Sequence, residues 1–166
     1  MPTTLEDLAV AFAGESQANR KYLAYAKKAE KDGYPTIARL FRAAAEAETI
    51  HALGHFEALG AVGATRDNLQ DAIKGETYEY QEMYPPMLAA AEKEGHRAKR
   101  MFGFAVKAEA VHARLYQAAL AALEAGHDLE GAEIYLCPVC GNLEIGKPQA
   151  KCAICGLPAD RFVRVE

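Results

Sequence analysis

The chain has 166 residues, of which 51% are hydrophobic and 25% charged, and its formal net charge is −4. This length and balance fit one sizeable globular domain, alone or with a small appendage. The acidic balance gives no support for nucleic-acid binding, and no apolar run approaches the roughly 18 residues that a membrane span needs. Because the first residues lack the basic and apolar regions of a signal peptide, we expect a cytoplasmic protein.

Four long amphipathic segments follow one another, and they predict a mainly α protein built on a four-helix bundle. The expected helices cover about residues 4–32, 35–59, 75–94 and 96–124. Between the second and third helices, residues 60–75 are expected to form a connection with one short helix inside it. Pro85-Pro86 predicts a bend or a wide turn just past Glu82, because an interior proline removes a helical hydrogen bond.

Carboxylate and imidazole side chains occupy core positions of these helices in pairs three residues apart. The residues are the pairs Glu48/His51, Glu79/Glu82 and Glu109/His112, together with a single Glu15 on the first helix. Side chains three apart on a helix lie side by side, so each pair directs two ligand groups at one point. Carboxylates inside a bundle are costly unless a metal or a counter-charge meets them. Five carboxylates and two imidazoles on four successive helices therefore predict a site for two iron or manganese ions.

All four cysteines fall near the end of the chain, in two Cys-x-x-Cys pairs, Cys137/Cys140 and Cys152/Cys155. This spacing predicts a tetrathiolate metal site rather than a disulfide framework, and it suits either iron or zinc. The surrounding segment has short β-prone pieces and is too small to bury much core, so a metal must hold it together. We expect a helical domain over residues 1–130 and a metal-stapled β domain over residues 131–166.

Together these motifs resemble rubrerythrin, the family of non-haem di-iron peroxidases with a ferritin-like bundle and a rubredoxin-like domain. The resemblance rests on Gly14-Glu15-Ser16-Gln17-Ala18-Asn19-Arg20, Glu48-x-x-His51, Gly75-Glu76-Thr77-Tyr78-Glu79-Tyr80-Gln81-Glu82-Met83-Tyr84-Pro85, Glu109-x-x-His112 and the cysteine pairs. It covers essentially the whole chain. It implies two irons in a carboxylate-bridged site, a third iron held by four cysteines, and a homodimer or higher homo-oligomer.

The resemblance also implies a role for each ligand. The implied di-iron ligands are Glu15, Glu48, Glu79, Glu82, Glu109 and His112. Glu48 and Glu109 would bridge the irons, and Glu82 would exchange with His51 when the site is reduced. The ligands of the third iron, which passes electrons, would be Cys137, Cys140, Cys152 and Cys155. Compact members of the family exchange helices within a dimer, and residues 60–75 are where this chain would do so.

The function that we expect is the reduction of hydrogen peroxide to water, as a defence against oxidative stress. The residues expected to take part directly are Glu82 and His51, with Tyr22 as a candidate proton donor. Electrons would come from a rubredoxin or a pyridine-nucleotide-linked reductase, as the resemblance implies.

Two other functions are open at this point. In the first, the bundle oxidises and handles iron as ferritins do, which leaves the four-cysteine domain without a role. In the second, the cysteines hold zinc in a ribbon that binds a partner, and the bundle is a scaffold. A red colour from ferric tetrathiolate iron distinguishes the zinc ribbon from the iron domain.

Overall fold

The computed structural model describes residues 2–129 and 133–166, and the chain divides into two compact units. Unit 1 covers residues 1–63 and unit 2 covers residues 64–166. The described residues are mainly helical, with one small antiparallel sheet near the end of the chain. The predicted fold class, mainly α with a small C-terminal β domain, is confirmed. The predicted domain boundary at 130/131 lies outside the described residues.

Unit 1 is an antiparallel pair of helices, α1 (Thr4–Lys31) and α2 (Pro35–Ala58). A capping box starts α1. The Glu6 N–H donates to Thr3 Oγ1 at 3.3 Å, and the Thr3 N–H donates to Glu6 Oε2 at 2.6 Å. Proline at the first position starts α2, where its missing N–H costs nothing. Both helices therefore begin within a residue or two of their predicted positions.

Alanine forms the seam between α1 and α2. Ala26 and Ala29 of α1 and Ala38, Ala45 and Ala52 of α2 are all buried. The three alanines of α2 recur every seven residues, which keeps them on one side of the helix. Such small side chains let the two backbones approach closely, and this approach fixes the positions of every larger side chain beside the seam.

Polar and aromatic contacts fix the register of α1 against α2. The Asn19 side-chain amide donates to the Ala45 carbonyl at 2.7 Å and to Thr49 Oγ1 at 2.8 Å. The rings of Phe12 and Phe56 stack with their centroids 4.7 Å apart. These contacts lie beside the glutamates predicted as metal ligands, so the seam positions those glutamates.

Unit 2 begins with a helical run that is longer than expected. It consists of α3 (Thr65–Tyr78), a π-helical turn (Glu79–Met83) and α4 (Tyr84–Lys93), followed by α5 (Lys99–Glu124). The prediction of a separate short helix and of a connection over residues 60–75 is wrong. Only residues 59–64 separate α2 from α3, since α3 begins at Thr65 and continues through Gly75.

The bend or wide turn predicted next to Pro85-Pro86 takes the form of a wide π-helical turn that ends just before the prolines. The Tyr84 N–H donates to the Glu79 carbonyl five residues back, which is the hydrogen bond of a π-helix. Pro85 and Pro86 then fall in the first turn of α4, where a proline N–H is not needed. The helix therefore continues through one wide turn, which lies around Glu82 rather than just past it.

The end of unit 2 is a three-stranded antiparallel sheet in the order β2-β1-β3. Its strands are β1 (Ile134–Leu136), β2 (Leu143–Ile145) and β3 (Val163–Val165). The register pairs Leu136 with both Leu143 and Val163. Its core contains Cys137, Cys140, Cys152 and Phe162, and Phe104 of α5 packs against them. Cysteine therefore takes the place that large apolar side chains hold in an ordinary core.

None of the helices within residues 2–129 and 133–166 combines the length and apolar character that crossing a membrane requires.

The alanine seam leads to a test of packing. Ala45 is fully buried, so Ala45→Leu forces α1 and α2 apart and should lower the free energy of unfolding by about 1–3 kcal/mol. Ala43→Leu, at an exposed position of the same helix, is the matched control and should change it by less than about 0.5 kcal/mol. Chemical denaturation followed by circular dichroism measures both values. Equal effects of the two substitutions would contradict the seam.

Candidate metal centres

Unit 1 carries one cluster of carboxylate and imidazole groups. Glu15 of α1 and Glu48 and His51 of α2 place one ligand atom each within 4.8 Å of one another. His51 Nδ1 lies 3.1 Å from Glu48 Oε2, as expected for neighbours three apart on one helix. The Glu48 side chain is only 17% exposed, whereas that of His51 is 56% exposed. The structure therefore brings together the three predicted ligands of this unit.

Unit 2 carries a second cluster of the same composition. Glu76 of α3 and Glu109 and His112 of α5 also place ligand atoms within 4.8 Å of one another. His112 Nδ1 lies 2.7 Å from Glu109 Oε2 and 3.5 Å from Glu76 Oε2. All three side chains are about one-fifth exposed, so the charges are held in a partly desolvated position.

The structure brings Glu76, which was not among the predicted ligands, into this cluster in place of Glu79 and Glu82. The chain has glutamate at 76, 79 and 82, so two overlapping pairs share the i, i+3 spacing. In the structure Glu76 joins the cluster, Glu79 is half-buried, and Glu82 is exposed and belongs to none of the clusters among the described residues. The expectation for Glu82 as a ligand is not supported by its position.

The π-helical turn explains the difference. It adds a residue to one turn, which rotates the side chains that follow relative to an ideal α-helix. Glu76 precedes the turn and shares the regular phase of α3, whereas Glu82 lies inside it. The signal that could have found Glu76 is its own position three residues before Glu79.

Burial and like charge make the cluster of unit 2 a place where a cation is favoured. Burial raises the pKa of Glu109 to about 7, and the Glu76 carboxylate adds to the rise while His112 opposes it. Burial and the Glu76 carboxylate also raise the pKa of Glu79, again opposed by His112. The charged forms of Glu109 and Glu79 are thus disfavoured by burial and by the Glu76 carboxylate, and a bound metal ion would favour them.

A tyrosine that the sequence analysis did not select lies in the field of these carboxylates. Burial, followed by the charges of Glu79, Glu109 and Glu76, raises the pKa of Tyr84. Tyr22, which was selected, lies in unit 1 and packs its ring against Phe41 at 6.2 Å between centroids. Tyr22 and Tyr84 are both half-buried, so each phenol is a candidate hydrogen-bond donor.

The four cysteines come together in unit 2 as predicted. Cys137 Sγ lies 3.5 Å from Cys155 Sγ, and Cys140 Sγ lies 3.5 Å from Cys152 Sγ. A tetrahedral ion with metal–sulfur bonds of about 2.3 Å would place its sulfurs roughly 3.8 Å apart. The cysteines are free thiols rather than disulfides, so the arrangement fits one metal ion.

The two cysteine loops repeat the same backbone turn. The Cys137 N–H donates to the Asn142 carbonyl, and the Cys152 N–H donates to the Leu157 carbonyl, both at 2.8 Å. Gly141 and Gly156 follow the second cysteine of each loop with φ of +83° and +76°, which favours glycine. Burial acts to raise the pKa of Cys137, but backbone N–H groups of Val139 and Cys140 outweigh it and lower that pKa. These N–H groups thus favour the thiolate of Cys137, the form that binds metal, whereas burial raises the pKa of Cys140 and of Cys155.

One hydrogen bond joins the two kinds of centre within unit 2. His112 Nε2 lies 2.9 Å from the carbonyl oxygen of Gly141, the residue after Cys140. A carbonyl only accepts, so Nε2 carries the proton and donates it. In the neutral imidazole Nδ1 is then unprotonated, and it is Nδ1 that faces Glu109 and Glu76. The cysteine loop therefore holds His112 in the tautomer that can bind a metal.

The donor sets fit the metals that they suggest. Each unit has two carboxylates and one imidazole, Glu15, Glu48 and His51 in unit 1 and Glu76, Glu109 and His112 in unit 2, and these are the donor types of carboxylate-bound iron. The four thiolates fit a rubredoxin-like iron. Ferritin-like helices with these ligands and a four-cysteine domain define a non-haem iron oxidoreductase.

Comparisons with known proteins agree with this class. The sequence matches the rubrerythrin family over residues 6–120. It is 40% identical to rubrerythrin-2 of Clostridium acetobutylicum, over 96% of this chain and 95% of that protein. It is 41% identical to nigerythrin of Nitratidesulfovibrio vulgaris, over 96% of this chain and 85% of that protein. The chain therefore belongs to the rubrerythrin family.

Solved structures of nigerythrin resemble the whole chain. Nigerythrin in a partially reduced state has a TM-score of 0.58, with 36% identity over 99% of this chain and 88% of that one. A fully reduced, all-ferrous state of nigerythrin has a TM-score of 0.57. Both sequence and structure thus relate the bundle helices and the cysteine domain to the same family.

The role of Glu76 as a metal ligand can be tested with Glu82 as the control. Glu76→Gln removes a charged oxygen from the cluster and should weaken iron binding in the bundle by about tenfold or more. Glu82→Gln is the matched control on the same helical run and should leave bundle iron unchanged. Iron per chain, corrected for tetrathiolate iron by its visible absorption, is the measurement. Loss of bundle iron in Glu82→Gln alone would restore the original assignment.

Proposed function

We propose that this protein reduces hydrogen peroxide to water in defence against oxidative stress, with electrons passing through the four-cysteine iron. The reaction consumes one peroxide, two electrons and two protons and releases two waters. The observation that carries the proposal is the hydrogen bond between His112 Nε2 and the Gly141 carbonyl. It supplies a short path between a two-electron site and a one-electron site in one chain.

The chain's residues have distinct tasks in this proposal. The two irons, when bound, supply electrons to peroxide and polarise its O–O bond. Glu15, Glu48, Glu76 and Glu109 offset the positive charge of the metals. His112 contributes Nδ1 as a ligand, and its Nε2–H donates a hydrogen bond to the Gly141 carbonyl. The half-buried faces around these residues limit the access of water and hence side reactions.

We further propose that Glu79, rather than Glu82, is the partner of His51 in the exchange of ligands on reduction. Glu79 is half-buried, and its pKa is raised by burial and by the Glu76 carboxylate. Glu82 is exposed and lies inside the π-helical turn. His51 is the most exposed imidazole of the two clusters, which suits a ligand that binds in only one state.

Proton delivery is assigned to the tyrosines. Tyr84 lies in the field of three carboxylates, so its phenol is favoured in the protonated form and can donate a hydrogen bond. Tyr22 lies next to Phe41 on α1, the helix that carries Glu15. Either phenol can hold a proton near the carboxylates until an oxygen of peroxide takes it.

The ferroxidase alternative is less well supported. It leaves the four-cysteine cluster and its hydrogen bond to His112 without a role. The zinc-ribbon alternative has the same weakness, because a purely structural ribbon does not need contact with a ligand of the bundle. Free thiols in the cysteine site suit a reducing compartment, so we place the reaction in the cytoplasm.

We propose a homodimer in which each partner supplies one pair of helices to the other. A ferritin-like bundle needs a long crossover connection between its second and third helices. With 24 residues, α2 is about 36 Å long, whereas residues 59–64 reach at most roughly 25 Å. One chain cannot satisfy that topology alone, and a partner chain can. Reduced rubredoxin or a pyridine-nucleotide-linked reductase would then supply electrons to each chain.

The peroxidase proposal is tested by anaerobic reduction followed by titration with peroxide. One peroxide should reoxidise each pair of bundle irons, and the reaction with peroxide should be much faster than that with oxygen. Absorption of both iron centres follows the titration. Preferential reaction with oxygen and uptake of iron beyond two per bundle site would support the ferroxidase function instead.

The electron path is tested by Cys140→Ser. This change should remove the red tetrathiolate absorption and abolish donor-driven turnover while bundle iron stays bound. Lys147→Ser, at an exposed position of the same domain, is the control and should retain both properties. Unchanged turnover in Cys140→Ser would contradict the relay.

Helix exchange is tested by mixing two inactive variants, Glu48→Ala and Glu109→Ala. With exchange, a mixed dimer combines both defects in one bundle and leaves the other bundle intact. Unfolding and refolding an equal mixture should therefore recover about a quarter of wild-type activity, because half the dimers are mixed and each has one intact site. Without exchange, both bundles of a mixed dimer are defective, and no recovery would contradict the proposal.

A further inference from the structure

The start of α5 is strongly basic although the whole chain is acidic. Residues 93–107 contain five Lys or Arg side chains and a single Glu, whereas the formal net charge of the chain is −4. Arg97, Lys99 and Arg100 are all exposed. No ion pair within residues 2–129 and 133–166 involves any of these three side chains. Their charges are thus not neutralised by neighbours, and the positive end of the helix dipole adds to them.

This basic segment borders an apolar groove that leads to the cysteine site. The groove is lined by Arg97, Ala98, Arg100, Met101, Phe104 and Val139. Met101 is 57% exposed and Val139 is 37% exposed, so the apolar centre is open to solvent. The Arg100 guanidinium lies 5.3 Å from the centre of the Phe104 ring. We call this surface the basic face.

Two residues of the basic face, Val139 and Phe104, lie directly against the four-cysteine site. Val139 stands between Cys137 and Cys140, and its backbone N–H hydrogen-bonds the Cys137 sulfur. Phe104 packs directly against the cluster that contains Cys137, Cys140 and Cys152. A molecule seated on Val139 and Phe104 is therefore separated from the sulfurs by about one layer of atoms.

We propose that the basic face docks an acidic one-electron carrier protein, which delivers electrons to the four-cysteine iron. In each encounter the carrier loses one electron, ferric iron becomes ferrous, and no proton or bond is transferred. Two exposed arginines beside an apolar centre, with Lys99 next to them in the chain, are complementary to a small acidic protein whose own cofactor lies under an apolar patch. The inference rests on the proposed function only in treating the cysteine iron as the entry point for electrons.

Binding is the first test, and it does not depend on catalysis. The full-length chain, loaded with zinc and labelled with nitrogen-15, is titrated with a zinc-loaded acidic rubredoxin at low ionic strength. Amide shifts should map to residues 97–104 and 137–141. Arg97→Glu/Arg100→Glu should raise Kd by about tenfold or more. Because Arg100 also contacts Phe104, Arg97→Glu/Lys99→Glu is a second variant that leaves that contact in place.

The matched control is Lys27→Glu/Lys31→Glu on α1. Both positions are exposed, and the two reversals take the net charge from −4 to −8, as in the other double variants. The control should bind rubredoxin within about twofold of the wild type. Equal Kd values for all variants, or shifts on another surface, would overturn the proposal. So would a change of oligomeric state confined to the basic-face variants, because the face would then be an interface between copies of this chain.

Reduction kinetics form the second test. Stopped-flow bleaching of the ferric tetrathiolate by reduced rubredoxin should slow by about tenfold or more in the basic-face variants, and the difference should shrink at high salt. Reduction by reduced methyl viologen, a small cation, should not slow. If docking and bleaching behave in this way but peroxide is not consumed, the peroxidase proposal fails and the docking surface stands. If peroxide is consumed with unaltered bleaching rates in the variants, the docking surface fails alone.

Discussion

The repulsion between carboxylates on half-buried helix faces is the constraint on which the rest of this structure depends. Glu76 and Glu109 lie on facing helices with His112 beside them. Burial, with a smaller contribution from the Glu76 carboxylate, raises the pKa of Glu109 to about 7 against the opposing effect of His112. An apolar pair at these positions would stabilise the fold without any metal. The chain instead keeps charges that are favourable only next to a cation, so the fold and its metal load are linked.

The residues around the two clusters position the ligands without binding metal. The alanine seam of unit 1 fixes Glu15 and Glu48 by close backbone approach, and Asn19 locks the register beside them. In unit 2 the Gly141 carbonyl orients His112 by accepting a hydrogen bond from Nε2, the ring nitrogen that does not face the carboxylates. Each cluster is therefore held by groups that do not bind metal themselves, which is how precise ligand geometry is obtained on a helical scaffold.

The fold class, the starts of α1 and α2 and the cysteine site could be predicted because each has a local signal. A capping box, a proline at the first helical position and paired Cys-x-x-Cys loops depend on neighbours within a few residues. Local signals could not show whether Glu76/Glu79 or Glu79/Glu82 is the pair that lies at the metal centre. Both pairs have the same spacing, and the phase of the helix depends on a π-helical turn that no local pattern announced.

The segment before Glu76 shows a similar limit. Gly75 and the glycines near residue 60 suggested a long connection, yet α3 already begins at Thr65. A glycine inside a helix costs only about 1 kcal/mol, which the packing of α3 against α5 can offset. The contacts between α3 and α5 that decide where α3 begins join residues far apart in sequence, so local sequence patterns do not reveal them.

The π-helical turn has an evolutionary consequence. It is equivalent to one residue inserted into a helix without a loop, and each residue in an α-helix turns the chain by about 100°. Glu76 before the turn and Tyr84 and Leu88 after it all come close to α5. Deleting one residue between 79 and 83 would restore a regular α-helical turn there, so the residues before and after the turn would keep their sides of the helix and only those inside it would change direction. A one-residue gap at this point in a relative's sequence would therefore signal a change around Glu79 and Glu82 rather than a reoriented helix.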